Sequence, residues 1–563
     1  MVDDNVQRYL RNPGPKETVR GLKAACSTDN SIVTETVLKT MKAGGNAADA
    51  AIAGCMVQAA IQPFMTNHTG TVSFLFYEAK TGRVHQLHSA GTFPPHLRPF
   101  KPIPKMGSGF GRLPPSACIP GFMPGMKAIH QRFGTKPWAE LCADAIYWAE
   151  EGHPVSSFEY GVNLAEQDFC TYFPEGRRFY MPNGYWPIVG ERFGNAEMAQ
   201  TLRGVANEGP DYMIEGAWAK QFVAKANEMG WPITLSDMST NPPRWIEPMR
   251  IPHHEYELVS LAPPEQQGAF IAMVMGILSH MGIRQMGQGS AEHFFAMGHA
   301  LRLGLYFSGF LGDPTVGHYD SAQLLDGDFH RALARLVLGM RPKADLTRHL
   351  ALTAGPGQRA DEHGLAGLPS AGDVTPLQPP GSCELSIVDA QGNWLQMMNT
   401  LQSGGIPGMV VGGIPMIGSH ATFAGVSGHF DIKLVEGARL RTIVGHTLVF
   451  KDGRPVFGLG TPGNVFCTVP QVLTNLLDFK MDPYEAIAAP RHLQLGEDNS
   501  LIIEDRVSAD AQAGLAKLGV PVRVMPPYDW HMGSFQMCFE DTATGQLCTT
   551  VDPRRCGLAD GLR

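Results

Sequence analysis

The run Gly381-Ser382-Cys383-Glu384 stands where a mobile-looking stretch of the sequence ends and an alternating apolar stretch begins. A serine in that place can act as a nucleophile if the Gly381–Ser382 peptide bond is broken. The freed α-amine, with an ordinary pKa of about 8, takes the proton of the hydroxyl on its own residue, so neither a separate histidine nor a separate carboxylate is required. Gly381 has no side chain to hinder the nitrogen-to-oxygen acyl shift that such self-cleavage needs. On its own, a Gly-Ser pair is also an ordinary turn signal, so the chemistry rests on what surrounds it. Cys383 is a second candidate nucleophile. It would require cleavage one residue later and a different spacing to Thr400.

Other chemistry-bearing residues are less well placed. His253-His254, followed by Glu255 and Glu257, has metal-ligand residue types, but neighbouring side chains point apart on a helix or a strand, and the segment reads as a solvated turn. His420, His429 and His446 are too scattered to form a relay. The ten cysteines show no CxxC pair and no regular spacing, which argues against a zinc site or a disulfide framework. Gly107-Ser108-Gly109-Phe110-Gly111 lacks the preceding strand and following helix of a phosphate loop.

The elements that would position Ser382 can be read from periodicity. Residues 31 to 42 form a helix stopped by Gly44-Gly45, and Asn46 caps an alanine-rich helix from Ala47 to about Ile61, whose small residues suit close packing on a sheet. Thr71 to Tyr77 and Arg83 to Leu87 form a hairpin around Lys80-Thr81-Gly82. A helical middle follows, with helices from Trp138 to Gly152, Ala269 to Met281 and Ala291 to Phe310. Residues 355 to 381 turn to Gly, Pro, Ala and Asp with no apolar face, a connector composition. Beyond it come hairpins: Leu385 to Val388 with Trp394 to Leu401, Thr447 to Phe450 with Pro455 to Leu459, and Phe535 to Glu540 with Leu547 to Val551. Helices from Val469 to Phe479 and Asp510 to Leu518 separate them. Two antiparallel sheets with helices outside, a four-layer αββα sandwich in the α+β class, would bury every apolar face. Residues 1–381 and 382–563 then form two regions of one globule.

Composition bounds the function. Of 563 residues, 44% are apolar and 17% charged, the balance of a buried core. A net charge of −8 without Lys/Arg clusters argues against nucleic acid or an anionic membrane as partner. The first sixteen residues contain no apolar run of signal-peptide length, which points to the cytoplasm.

Several ordered segments resemble the γ-glutamyltranspeptidase family. Ser382-Cys383-Glu384-Leu385-Ser386-Ile387-Val388-Asp389 is similar to the Thr-Thr-His-Tyr-Ser-Val-Val-Asp that opens that family's small subunit, with Ser382 on the nucleophilic threonine. Thr400-Leu401-Gln402 matches Thr-Leu-Asn, and Gly460-Thr461-Pro462-Gly463-Asn464 resembles the Gly-Ser-Pro-Gly-Gly oxyanion loop. Asp552-Pro553-Arg554-Arg555 resembles the closing Asp-Pro-Arg. In the first half, Gly44-Gly45-Asn46-Ala47-Ala48-Asp49-Ala50-Ala51, Ile119-Pro120-Gly121, Glu151-Gly152-His153-Pro154-Val155 and Leu311-Gly312-Asp313-Pro314 recur in the family's order.

The resemblance implies an N-terminal-nucleophile hydrolase cleaved between Gly381 and Ser382 into two fragments paired as a heterodimer. Ser382 attacks, Thr400 orients its hydroxyl, and the backbone of Gly463 and Asn464 holds the oxyanion. It also assigns Gln402, Phe423, Ala424 and Thr442 to the substrate side. The sequence departs from the family where the substrate's charges are gripped. Ser89-Ala90-Gly91-Thr92-Phe93 replaces an arginine-bearing segment, Ser419 to Ala424 replaces Asn-Gln-Met-Asp-Asp-Phe, and Thr442-Ile443 replaces paired serines. A γ-glutamyl zwitterion would be left unpaired there. A small amide or N-acyl compound is expected instead, with Met397, Met398, Met409, Met416 and Phe423 offering apolar surface. No metal or organic cofactor is implied. Glu384 in place of His and Asn464 in place of Gly keep a second reading open, an uncleaved relative that has lost catalysis and serves as a binding or scaffold protein, or a serine enzyme recruited to an unrelated reaction.

Overall fold

The computed structural model describes residues 9–93, 118–165, 167–171, 173–240, 242–339, 382–400, 409–415, 437–440, 444–496 and 498–563. The expected connector 355–381, Gly107 to Gly111, His420 and His429 lie outside these residues.

Fourteen strands make two seven-stranded sheets. In chain order they are β1 (Val19–Leu22), β2 (Ala24–Thr28), β3 (Thr71–Glu78), β4 (Arg83–Ser89), β5 (Arg244–Ile246), β6 (Met249–His253), β7 (Tyr256–Ser260), β8 (Cys383–Val388), β9 (Trp394–Thr400), β10 (Thr447–Lys451), β11 (Arg454–Gly460), β12 (Gln536–Asp541), β13 (Gln546–Val551) and β14 (Leu558–Leu562). The first sheet runs β14-β2-β8-β9-β3-β4-β5 and the second β1-β13-β12-β11-β10-β7-β6. Every pair in them is antiparallel. The helical middle therefore contains three strands, β5 to β7, that periodicity did not reveal.

Helices cover the outer faces. On the first sheet lie α1 (Ser31–Lys42), α2 (Ala47–Ile61), α3 (Phe122–Phe133) and, behind α2, α4 (Trp138–Glu151). Asn46 caps α2 as expected, its side chain accepting from the Asp49 amide while Asp49 accepts from the Asn46 amide, a reciprocal pair that satisfies two N–H groups left over at a helix start. All of α2 is buried, and small residues make that possible: a Cβ on Gly54 would sit 2.8 Å from Leu385 Cδ2. On the second sheet lies α5 (Gln267–Met281), with α6 (Ala291–Ser308) and α7 (Val465–Leu477) packed against it.

The facing sides of the sheets close over Ala25, Leu75, Val259, Met398, Leu448 and Cys538. Strand alternation thus divides β8. Leu385 and Ile387 join the helix-side core, whereas Ser386 faces the second sheet, donating to Gly458 O at 3.1 Å and accepting from Cys538 N at 3.0 Å. The result is the αββα sandwich with the first residue of β8 at one end of the inter-sheet layer.

Candidate active site

Ser382 precedes β8 directly, and its hydroxyl donates to Thr400 Oγ1 across the adjoining strand at 2.7 Å. The register Cys383↔Asn399 continues to this pair, and Thr400 is in turn opposite Thr71 of β3. Both side chains are almost fully buried, so the bond is made away from competing water. Thr400 is fixed from behind: Thr71 Oγ1 donates to its carbonyl at 3.3 Å, and Gly70 packs so close that a Cβ there would meet the same oxygen at 2.5 Å.

The backbone of Ser382 adopts φ = 138°, a region that L-residues with a side chain rarely occupy and that stores strain, on the order of 1–3 kcal/mol. This torsion is defined by the carbonyl carbon of residue 381. It exists only while the Gly381–Ser382 bond is intact.

Across the layer, β11 ends at Gly460 and the chain turns through Thr461, Pro462, Gly463 and Asn464 into α7. Thr461 Oγ1 holds the turn, accepting from Ser534 N at 2.9 Å and donating to Pro462 O at 2.8 Å. Gly463 has φ = 88°, and a Cβ on it would meet Gly533 Cα at 3.0 Å, so neither its torsion nor its surroundings admit a side chain. Asn464 occupies the N-cap of α7 without a capping side-chain bond. Among the described residues the amides of Gly463 and Asn464 donate to no acceptor, and they stand at the start of a helix of 13 residues, where N–H groups and the helix dipole favour negative charge.

Arg555 joins the two sides. Its Nη1 lies 3.5 Å from Ser382 O, and its Nη2 lies 3.3 Å from where a Gly463 Cβ would be. The guanidinium is buried, and burial lowers its pKa while Asp29 opposes that. Asp29 accepts from Gln58 Nε2 at 2.5 Å. Burial pushes its carboxyl up to about 6, with Arg555 pulling the other way. Sequence reasoning reached Arg555 as the residue that closes the Asp552-Pro553-Arg554-Arg555 match but gave it no role, and it missed Asp29. The motif itself is structural, because Asp552, Arg491, Arg554 and Glu504 form a buried ion-pair network that anchors the strand leading to Arg555.

Two further residues of β8 carry chemistry-bearing side chains. Glu384 points between the sheets, where its Oε1 lies 2.9 Å from His446 Nδ1 and where a Cβ on Gly460 would collide with the same oxygen. Both side chains are fully buried, and burial raises the Glu384 carboxyl above its ordinary range against the pull of His446. Glu384 therefore packs under the base of the Gly460–Asn464 turn, and His446, too distant in sequence to suggest a partner, is the residue it pairs with. Cys383 faces the helix side with its thiol 3.6 Å from Gln62 Oε1, and burial pushes its pKa well up. It is a poor nucleophile there.

On the substrate side, Gly381, Gln402, Met416, Phe423, Ala424 and Thr442 lie outside the described residues. Met397 and Met409 belong to the helix-side core and Met398 to the inter-sheet core, so these three are packing residues and not an apolar lining. A cavity of about 630 Å³ opens beside Ser89, Ala90, Gly91 and Thr92, at the end of β4. The register Val72↔Ser89 places it at the same sheet end as Ser382, three strand spacings or about 14 Å away. Arg439 also lines it, but Arg439 Nη1 is 3.8 Å from Asp313 and Nη2 donates to Pro242 O at 3.0 Å.

A sequence model of the family described as Gamma-glutamyltranspeptidase matches residues 33–562. A glutathione hydrolase proenzyme of Pseudomonas aeruginosa is 28% identical over 544 residues, covering 92% of this chain and 91% of that protein. An acylase ACY 1 proenzyme of a Pseudomonas species is 25% identical, covering 97% and 96%. Among solved structures, a cephalosporin acylase from Bacillus halodurans superposes with a TM-score of 0.81 at 22% identity over 98% of each chain, a likeness of fold.

Proposed function

Because this chain belongs to the gamma-glutamyltranspeptidase family and is an N-terminal-nucleophile amidase or acyltransferase, we propose that Ser382 becomes its nucleophile after the protein cuts its own Gly381–Ser382 bond. The observation that carries the proposal is the hydroxyl of Ser382, held at 2.7 Å by Thr400 on a residue whose φ is 138°. Oγ attacks the Gly381 carbonyl, nitrogen leaves as the amine, and water hydrolyses the resulting ester. The products are a carboxylate on Gly381 and a free amine on Ser382. Cleavage also abolishes the unfavourable torsion, so the strain favours the forward step. The proenzyme names of the relatives agree with this maturation and with two fragments that remain paired.

In turnover the Ser382 amine takes the hydroxyl proton as Oγ attacks an amide carbonyl. The developing oxyanion is received by the amides of Gly463 and Asn464, and donors set in advance at such a position contribute about 3 kcal/mol each. The proton passes to the leaving amine, and water or an acceptor amine resolves the ester on Ser382.

The substrate is a small amide or N-acyl compound without a γ-glutamyl head. Support comes from the cavity at the end of β4, where Ser89, Ala90, Gly91 and Thr92 supply no charge. The three cations that reach the same space each have a partner: Arg439 is held by Asp313 and Pro242 O, Lys127 by Asp211, and Arg132 lies over the Trp245 ring. The acylase relative fits an acyl group of this kind.

Denaturing electrophoresis tests maturation. Purified protein is expected to give fragments 1–381 and 382–563, with Ser382 as a new amino terminus, and Ser382→Ala a single intact band without amidase activity. If Ser382→Ala is still cut at the same bond, another protease does the work and the proposal fails.

A further inference from the structure

The turn between β6 and β7 carries a ligand set that regular strand geometry would keep apart. His253 closes β6, and His254 takes a left-handed φ of 54°. That step undoes the alternation which would send adjacent side chains to opposite faces. Both rings therefore meet one carboxylate, Asp478, just past the C-terminal end of α7. His253 Nε2 lies 3.0 Å from Asp478 Oδ2, and His254 Nε2 lies 3.1 Å from Oδ1. The ring centroids are 4.4 Å apart, and the three ligand atoms all lie within 4.8 Å of one another.

We propose that His253, His254 and Asp478 bind a divalent transition-metal ion of the zinc class. Bonds of roughly 2.0–2.2 Å to nitrogen and oxygen place the ligand atoms of a tetrahedral zinc ion about 3.3 Å apart. Each imidazole Nε2 already stands close to one oxygen of the Asp478 carboxylate, His253 3.0 Å from Oδ2 and His254 3.1 Å from Oδ1. One carboxylate oxygen and the two ring nitrogens lie within 4.8 Å of one another, so the longest separation needs to shorten by no more than about 1.5 Å. Two imidazoles with one carboxylate suit zinc, nickel or copper. Calcium and magnesium, which take shells of six or more oxygens, are poorly matched.

Access and charge also fit. The side chains of His253 and Asp478 are buried while that of His254 is 29% exposed, so the ion arrives over His254 and a water completes the fourth corner. Arg284 Nε donates to Asp478 Oδ1 at 3.2 Å and must yield. Its Nη2 already lies 3.2 Å from Glu255 Oε2, which gives it a second anion to hold. Lys480 binds the other Glu255 oxygen at 2.6 Å, so displaced charge stays paired. An α7 of 13 residues separates this site from the Gly463–Asn464 turn by about 20 Å. The ion would tie the β6–β7 turn to the far end of that helix and take no part in the chemistry at Ser382.

Full-length protein stripped with a chelator is titrated with zinc chloride by calorimetry, beside His254→Ala. The expected result is one ion per chain with Kd at or below about 10 μM, a melting temperature that rises with added zinc, and a loss of at least about 10-fold in affinity in His254→Ala. Cobalt chloride on the wild-type protein provides a reading that does not depend on the variant folding. The expected spectrum is the intense visible absorption of four-coordinate Co²⁺. Equal affinity in His254→Ala, the lack of a saturable one-to-one site, or only the weak absorption of six-coordinate Co²⁺ would each overturn the proposal.

Discussion

Replacing Thr400 with valine isolates the contact on which the nucleophile depends. Valine keeps the branched shape and nearly the volume of threonine, so the packing of β9 on β3 is retained and only the oxygen 2.7 Å from Ser382 Oγ is lost. Ser382 and Thr400 are both buried, at 6% and 1% exposure, so water does not replace that partner freely. Leaving a buried hydroxyl without its acceptor costs about 1–3 kcal/mol. If this falls on the transition state for attack, self-cleavage and turnover each slow by roughly 5-fold to 150-fold. The cleavage rate is followed by denaturing electrophoresis on freshly purified protein, turnover on the matured enzyme, and thermal unfolding is recorded alongside. Thr400→Ser, which restores a hydroxyl, is expected to recover most of both rates. A Thr400→Val protein that melts normally and matures and turns over at the wild-type rate would refute the assignment, because the hydroxyl of Ser382 would then be oriented by something else.

Two stability predictions follow from buried charges. Arg555→Met leaves Asp29 buried without its cation and is expected to destabilise the fold by about 3–5 kcal/mol. The added Asp29→Asn change should recover part of that loss, and melting curves showing strict additivity would count against a direct pair. Glu265, buried between Ser73 and Gln86, has its pKa pushed up to about 8 by desolvation. Its folded-state pKa lies above the unfolded value near 4.5, so it contributes most below pH 4.5, and stability falls as pH rises from there towards 8. The total is at most about 5 kcal/mol. Glu265→Gln mimics the neutral acid and should flatten that part of the pH–stability curve and raise the melting temperature at about pH 8.5. A variant with the wild-type slope would show that Glu265 does not titrate as described.

The hairpins around Ser382 were legible because period-two alternation and turn residues such as Gly392 and Gly453 act locally. So was α2, through its Asn46 cap. The start of α7 was not. Pro470 favours a helix beginning near Val469, since proline is best tolerated in a first turn, yet the helix begins at Val465 with Pro470 inside it. This earlier start is what places Gly463 and Asn464 at a helix N-terminus. Strands β5 to β7 were hidden because they are short and lie between long helices. Asp29, Arg555, and the Glu384–His446 pair depend on contacts between residues tens to hundreds of positions apart, which no local pattern encodes. His253 and His254 misled for a different reason: the rule that adjacent side chains diverge holds for regular backbone and fails at a left-handed residue.

The strand order carries a further consequence for maturation. A cut before Ser382 would leave β8 and β9 flanked by β2 and β3 from the other fragment, with β14 beyond β2, while β1 and β7 would border strands of the second fragment in the other sheet. The two pieces are woven together along five strand seams. Dilution would not separate them readily, since among the described residues parting them means opening strand pairs in both sheets. On the proposed maturation, pieces cut before the sheets form would have to find each other by diffusion and thread strands between neighbours of the other piece. A cut made after the sheets have formed would change the chemistry at Ser382 and leave the strand order as it is.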